Sequence, residues 1–174
     1  GADLRQHVGL AGLSARAGQK FSVNFDFEGS SADRTYFRTS LHDYRKIRAR
    51  AKYQLFQSLS FAANFSYLEN ENPDPSIRYD FLNRDNSFSL FWTPAGGKRI
   101  TIVGDYTRST LRSDLGYRDP STGAAERSFY QDSAHIATAL LDLNLPAVNG
   151  ATPKVSLGGS LFVSSRSRAS EFYQ

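Results

Sequence analysis

Phe21-Ser22-Val23-Asn24-Phe25-Asp26-Phe27-Glu28 places an apolar side chain at every odd position and a polar one at every even position. Successive side chains on an extended strand point to opposite faces, so this stretch predicts a strand with one greasy face and one wet face. Outward from it the alternation keeps restarting. Leu59, Phe61, Ala63, Phe65 and Tyr67 share a face, as do Ile100, Ile102, Gly104 and Tyr106, and then Val155, Leu157, Gly159, Leu161 and Val163. Many such strands in series, with little helical patterning between them, predict an all-β chain folded as an antiparallel up-and-down meander.

About eight strands are expected, at roughly 4–15, 20–28, 43–55, 59–68, 86–93, 99–108, 135–145 and 154–166, in one β-barrel segment covering 1–174. The first is the least regular, because Val8 to Leu13 alternates poorly. Tight turns are read at Gly18, Gln57, Gly96 and Asn149, and longer polar connections at 29–39, 69–84 and 110–131. Short and long connections then fall at opposite ends of the sheet. Outer-membrane barrels have that asymmetry, and a greasy face turned to lipid instead of a core makes the meander a transmembrane β-barrel. With the short turns periplasmic, both chain ends lie at the loop end, which predicts an interior segment of a larger barrel. Eight antiparallel strands are also enough to close alone.

Composition narrows the alternatives without choosing among them. Apolar residues at 40% and charged ones at 22% are ordinary values and do not separate soluble from membrane proteins. No run of eighteen apolar residues occurs and the mean hydropathy is −0.46, which excludes a transmembrane helix but not a barrel. The absence of cysteine removes disulfides, thiolate metal sites and Cys-x-x-Cys-His haem attachment, so no cofactor is expected. With no Met and a Gly-Ala-Asp opening, a processed or excised segment is expected. The net charge of +4 suits an anionic partner without requiring one.

Arg45-Lys46-Ile47-Arg48-Ala49-Arg50-Ala51-Lys52 is the strongest charged feature. On a strand Lys46, Arg48, Arg50 and Lys52 point one way, and in a barrel they would line the lumen. Such a ladder favours anions in a pore or docks an acidic plug protein, by summing potential in a confined space. The plainer reading is a solvated strand face balanced by its acidic inward neighbours Asp26 and Glu28. Tyr44, Ile47, Ala51 and Leu55 also share a helical face, and a basic amphipathic helix would point to nucleic acid or a membrane surface. The segment lies between two clean strands, so the strand reading is kept and no nucleic-acid partner is expected.

Aromatics make up 13% of the chain, enough to ask where they cluster. Phe21, Tyr53, Phe61 and Trp92 gather near the short turns, and Phe27, Tyr67 and Tyr106 toward the long connections. Two such bands resemble interfacial girdles, whereas a β-sandwich core would scatter its aromatics along the strands. Catalytic signals are poor. His42, Asp43, Asp132 and His135 could form an acid/base site at the loop end, but ordinary rim residues explain them as well. Gly96-Gly97-Lys98 is not a phosphate loop, because Arg99 replaces the required Ser or Thr. Three separated histidines offer no metal-ligand spacing.

The segments Tyr44 to Leu55, Asn86 to Pro94 and Lys154 to Val163 resemble strands of Gram-negative outer-membrane β-barrels. Among large barrels the chain is most similar to the porin-like sheaths of porin–cytochrome electron conduits. That resemblance implies a bacterial outer-membrane location, outer-membrane lipid as a partner, a transport role, and a lumen open or filled by a protein such as a multihaem cytochrome. It carries no functional residue onto this sequence. Two readings of other classes stand beside the pore or sheath: an outer-membrane enzyme with a His/Asp site at the loop end, and a soluble β-sandwich or adhesion module.

Overall fold

The computed structural model describes residues 5–33, 40–73, 78–94, 99–119, 121–147 and 150–169, with 166–169 as backbone alone. Eight strands follow in chain order: β1 (Gln6–Ala17), β2 (Phe21–Ala32), β3 (Asp43–Phe56), β4 (Leu59–Asn72), β5 (Tyr79–Trp92), β6 (Ile100–Arg118), β7 (Ala125–Asn144) and β8 (Lys154–Ala169). Each pairs antiparallel with its sequence neighbours in one open sheet whose edges are β1 and β8. The fold is the all-β meander that the alternation predicts.

The basic segment is strand, not helix. Ala49 pairs with Phe25 on one side and Phe65 on the other, and hydrogen bonding from both neighbours overrides the helix propensity of Ala, Arg and Lys. At the first turn Gly18 takes φ of +59°, a conformation that costs a residue with a Cβ, and it reverses the chain between β1 and β2. Two register shifts interrupt the ladders, between Gln54 and Phe56 and between Gln131 and Asp132.

The long connections are corrected. β4 continues to Asn72 and β5 begins at Tyr79; β6 continues to Arg118 and β7 begins at Ala125, so most of 69–84 and 110–131 is paired strand. These extensions carry polar residues on both faces, which erases the alternation, but cross-strand contacts hold them. Arg112 bonds Asp80 at 3.1 Å, and Arg127 Nε donates to Asp114 Oδ1 at 2.7 Å. Tyr79 and Phe81 stack with ring centroids 6.1 Å apart. The intervals left between strands are 33–42, 73–78 and 119–124 at one end and 18–20, 57–58, 93–99 and 145–153 at the other. Length therefore does not sort them. The two ends differ instead in how far paired strands project. The turns read at Gly96 and Asn149 lie outside the described residues, as do Leu4, the Gly96-Gly97-Lys98 stretch and the end of the tail.

Among the described residues nothing covers either face. Tyr44 is the one buried hydrophobic side chain among the described residues, while Leu13 is 66% exposed, Phe88 57% and Leu157 69%. The accessible surface is 12287 Å², against about 8,500 Å² for a compact monomer of this mass. A β-sandwich needs two sheets packed face to face, and the described residues form one.

Candidate functional site

Directly opposed residues on neighbouring strands share a face. Glu28 opposes Lys46, Asp26 opposes Arg48, Asn24 opposes Arg50 and Ser22 opposes Lys52, so the four cations and both acids lie on the same wet face. Lys46 Nζ is 3.5 Å from Glu28 Oε2, and the Tyr44 hydroxyl donates to Glu28 Oε1 at 2.5 Å. On the other side of β3, Arg50 opposes Asn64 and Lys52 opposes Ala62. The two ends of the ladder thus differ: Lys46 and Arg48 face carboxylates, whereas Arg50 and Lys52 face none and are exposed.

The same face carries acids further along the sheet, at Asp85 on β5, Asp105 on β6 and Asp132 and Asp142 on β7. Hydroxyl and amide donors hold most of them. Ser109 Oγ donates to Asp85 at 2.6 Å and Asn83 Nδ2 at 3.2 Å, Thr138 Oγ1 donates to Asp105 at 3.5 Å, and Ser164 Oγ donates to Asp132 at 2.8 Å. Asp142 is neutralised by Lys154 at 2.9 Å. The wet face is therefore polarised, with β3 basic and β5 to β7 acidic. Sequence reasoning missed the acidic half, although the phase of the alternation assigned those positions. Single aspartates spread over three strands do not stand out as a run of cations does.

The opposite face is an apolar band. From β2 to β8 it is built from Phe21 to Phe27, Ile47 to Tyr53, Leu59 to Tyr67, Phe88 to Trp92, Ile100 to Tyr106, Ala137 to Leu143 and Val155 to Val163, at every second residue; none of these positions is charged. From β2 to β6 the band runs obliquely to the register, while from β6 to β8 its lower edge stays level through Ile100, Leu143 and Val155. Phe27, Ile47 and Tyr67 stand side by side, and this row continues through Arg84 and Thr110. On β6 the band ends at Tyr106, four residues short of Thr110. The lower edge shifts equally: Phe21, Tyr53 and Phe61 align with Leu90 and Gly104, and β6 carries the band four residues further, to Ile100. Over the four steps from β2 to β6 both edges descend by four residues.

This drift places the aromatic residues. Phe21 and Tyr53 meet edge to face with centroids 6.4 Å apart, Phe61 opposes Tyr53, and Trp92 lies one pair nearer the turns, opposite Leu59. Phe27 and Tyr67 share the upper row. Tyr106 falls four residues below that row in register but at the same edge of the band, where its hydroxyl lies 2.8 Å from His135 Nδ1.

The four residues considered for acid/base chemistry are not brought together. His135 lies on the band side of β7 and Asp132 on the wet side, so they point apart. His42 and Asp43 stand at the start of β3, four strands away. His42 is buried, its Nδ1 is 3.2 Å from Asp43 Oδ1 without hydrogen-bond geometry, and its backbone N–H donates to Asn70 Oδ1 at 2.9 Å. Asn70 also donates to the Ser40 carbonyl at 3.1 Å, so this cluster ties the β2–β3 connection to β4. Among the described residues no group of His, Cys, Asp and Glu has metal-binding geometry. Comparison with protein-family models, with curated proteins and with solved structures finds no match.

Proposed function

We propose that this chain is part of a bacterial outer-membrane β-barrel, with its apolar band against lipid and its polarised wet face lining a pore or a protein-filled sheath. The observation that carries the reading is the oblique band. Between β2 and β6, four residues of about 3.3 Å rise over four strand spacings of about 4.8 Å incline the strands by about 35° to the band's normal. Strands of outer-membrane barrels tilt by about 35–45° so that a staggered sheet can close around a planar slab. The band covers seven to nine residues, or six to eight rises, along each of β2, β3, β4, β6, β7 and β8, about 16–22 Å across a slab at that tilt, and narrows to five residues on β5. Aromatic rings at its edges add to this height, and the bacterial outer membrane is thinner than average.

The projecting end is assigned to the outside. β6 has 19 residues and β7 has 20, about twice the length that crosses a bilayer, and their excess is polar. Both edges must be paired for the sheet to sit in hydrocarbon, since unpaired backbone groups are costly there. Pairing of β1 with β8, or of each with a further antiparallel strand, is therefore part of the proposal. The lumen would conduct if open, and a multihaem cytochrome or another filling protein would dock against the charged wall.

Detergent extraction followed by gel electrophoresis with and without boiling tests the class. A folded barrel needs detergent or lipid and migrates faster before boiling than after. A protein that is monodisperse without detergent, with one mobility in both lanes, would remove the barrel reading. Planar-bilayer recording then separates an open pore from a filled sheath.

A further inference from the structure

We infer that a belt of outward-facing arginines at the upper edge of the apolar band, Arg45, Arg84 and Arg108, binds the phosphates of an anionic glycolipid of the outer leaflet. The inference rests on the outer-membrane reading above. All three lie on the band side of the sheet and are exposed. The pairing of Arg45 with Glu69, Glu69 with Leu82 and Leu82 with Arg112 fixes their heights. Arg84 lies two residues below that row and Arg108 four, so the line of guanidinium groups descends four residues over three strands. The apolar band descends four over four. In a tilted barrel the three arginines thus stand within about one residue of a common level, just above the Tyr67 and Tyr106 rings.

Their lack of ion pairs among the described residues separates them from Arg112 and Arg127 farther out. Arg112 is paired with Asp80 and Arg127 with Asp114. None of Arg45, Arg84 and Arg108 forms an ion pair among the described residues. Glu69 opposes Arg45, but its carboxylate accepts the Tyr67 hydroxyl at 2.9 Å instead. Arg84 opposes Tyr67 and Thr110, and Arg108 opposes Asn86 and His135, so no carboxylate faces either across its strand pairs. Arg84 and Arg108 are diagonal neighbours on adjacent strands, about 7–8 Å apart at the backbone, a separation that two guanidinium forks can close around one phosphate. A phosphorylated headgroup at the hydrocarbon boundary meets this belt while its acyl chains lie along the band below.

The test uses the full chain folded into phosphatidylcholine vesicles, titrated with bisphosphorylated diglucosamine lipid, its dephosphorylated form, or inorganic phosphate. The bisphosphorylated lipid is expected to bind about tenfold more tightly than the dephosphorylated form, with the difference shrinking as salt rises. R84Q/R108Q should abolish that preference while keeping the heat-modifiable mobility of a folded barrel, and the wet-face variant R50Q should leave it unchanged. If the double variant does not fold, R84Q and R108Q singly should each weaken the preference. Equal binding of the two lipids, a preference unchanged in the arginine variants, or equal occupancy by inorganic phosphate would overturn the belt. Failure of the unsubstituted chain to insert into any vesicle would overturn the barrel reading instead.

Discussion

Glu28 stands opposite Lys46 across the β2–β3 ladder, and its carboxylate is shared: Lys46 Nζ approaches Oε2 at 3.5 Å while the Tyr44 hydroxyl donates to Oε1 at 2.5 Å. The Lys46 end of the basic ladder is thus compensated on the wet face, and Asp26 stands opposite Arg48 there without a contact of that kind. The uncompensated potential belongs to Arg50 and Lys52, whose neighbours across both ladders are Asn24, Asn64, Ser22 and Ala62.

If the lumen is open, R50Q/K52Q should lower its anion preference by about twofold in permeability ratio, and K46Q/R48Q by clearly less. Reversal potentials in a salt gradient measure both. An equal effect of the two pairs would show that Asp26 and Glu28 do not offset their partners.

Neighbouring residues at the middle of β4 test which face meets lipid. Ala63 lies in the apolar band and Asn64 on the wet face, where its Nδ2 donates to Ser87 Oγ at 3.3 Å. A63R should destabilise the protein in vesicles by about 2–4 kcal/mol, the range for Arg at a bilayer midplane, and N64R should cost far less. Denaturant unfolding in lipid gives both values, and a larger loss for N64R would reverse the assignment of faces.

The turn between β1 and β2 depends on Gly18. At φ of +59° a β-branched side chain is strained although the space around the position is open. G18V should cost about 1–2 kcal/mol, and G18N, which tolerates the left-handed region, less. Equal unfolding midpoints for the two variants would mean that the turn takes another conformation.

Acid should loosen the projecting β6–β7 hairpin before the band. Asp114 lies eight residues beyond Tyr106, outside the band, and the Arg127 guanidinium bonded to it holds its carboxyl below the ordinary value, against an opposing effect of burial. A carboxylate with a depressed folded pKa contributes stability that is complete above its unfolded pKa of about 3.9 and is lost as pH falls through the lower folded value. Asp119, held low by the Ser121 hydroxyl and backbone N–H, acts in the same direction at the tip. Amide exchange across 112–130 should accelerate on going from about pH 5 to about pH 3, and D114N should flatten that response. Exchange that is faster at the higher pH after correction for intrinsic rates would contradict the sign.

The strand order and the two faces were legible because period-two alternation is local: Phe21 to Glu28 states its own conformation. The extensions of β4 to β7 were not legible. With polar residues on both faces they lose the contrast that marks a strand, and only a partner such as Asp80 for Arg112 or Asp114 for Arg127 shows that they pair. The cationic run was visible in β3 alone, whereas the acids opposite and beyond it are scattered through the sequence.

By itself the sequence determined that this chain is a series of amphipathic strands joined up and down, since each strand's faces follow from its own residues. Only the tertiary structure decided how far each strand slides along its neighbour. Register is a relation between segments, and no single segment contains it. From that relation come the opposition of Glu28 and Lys46, the oblique course of the apolar band, and the alignment of Arg45, Arg84 and Arg108 along its upper edge.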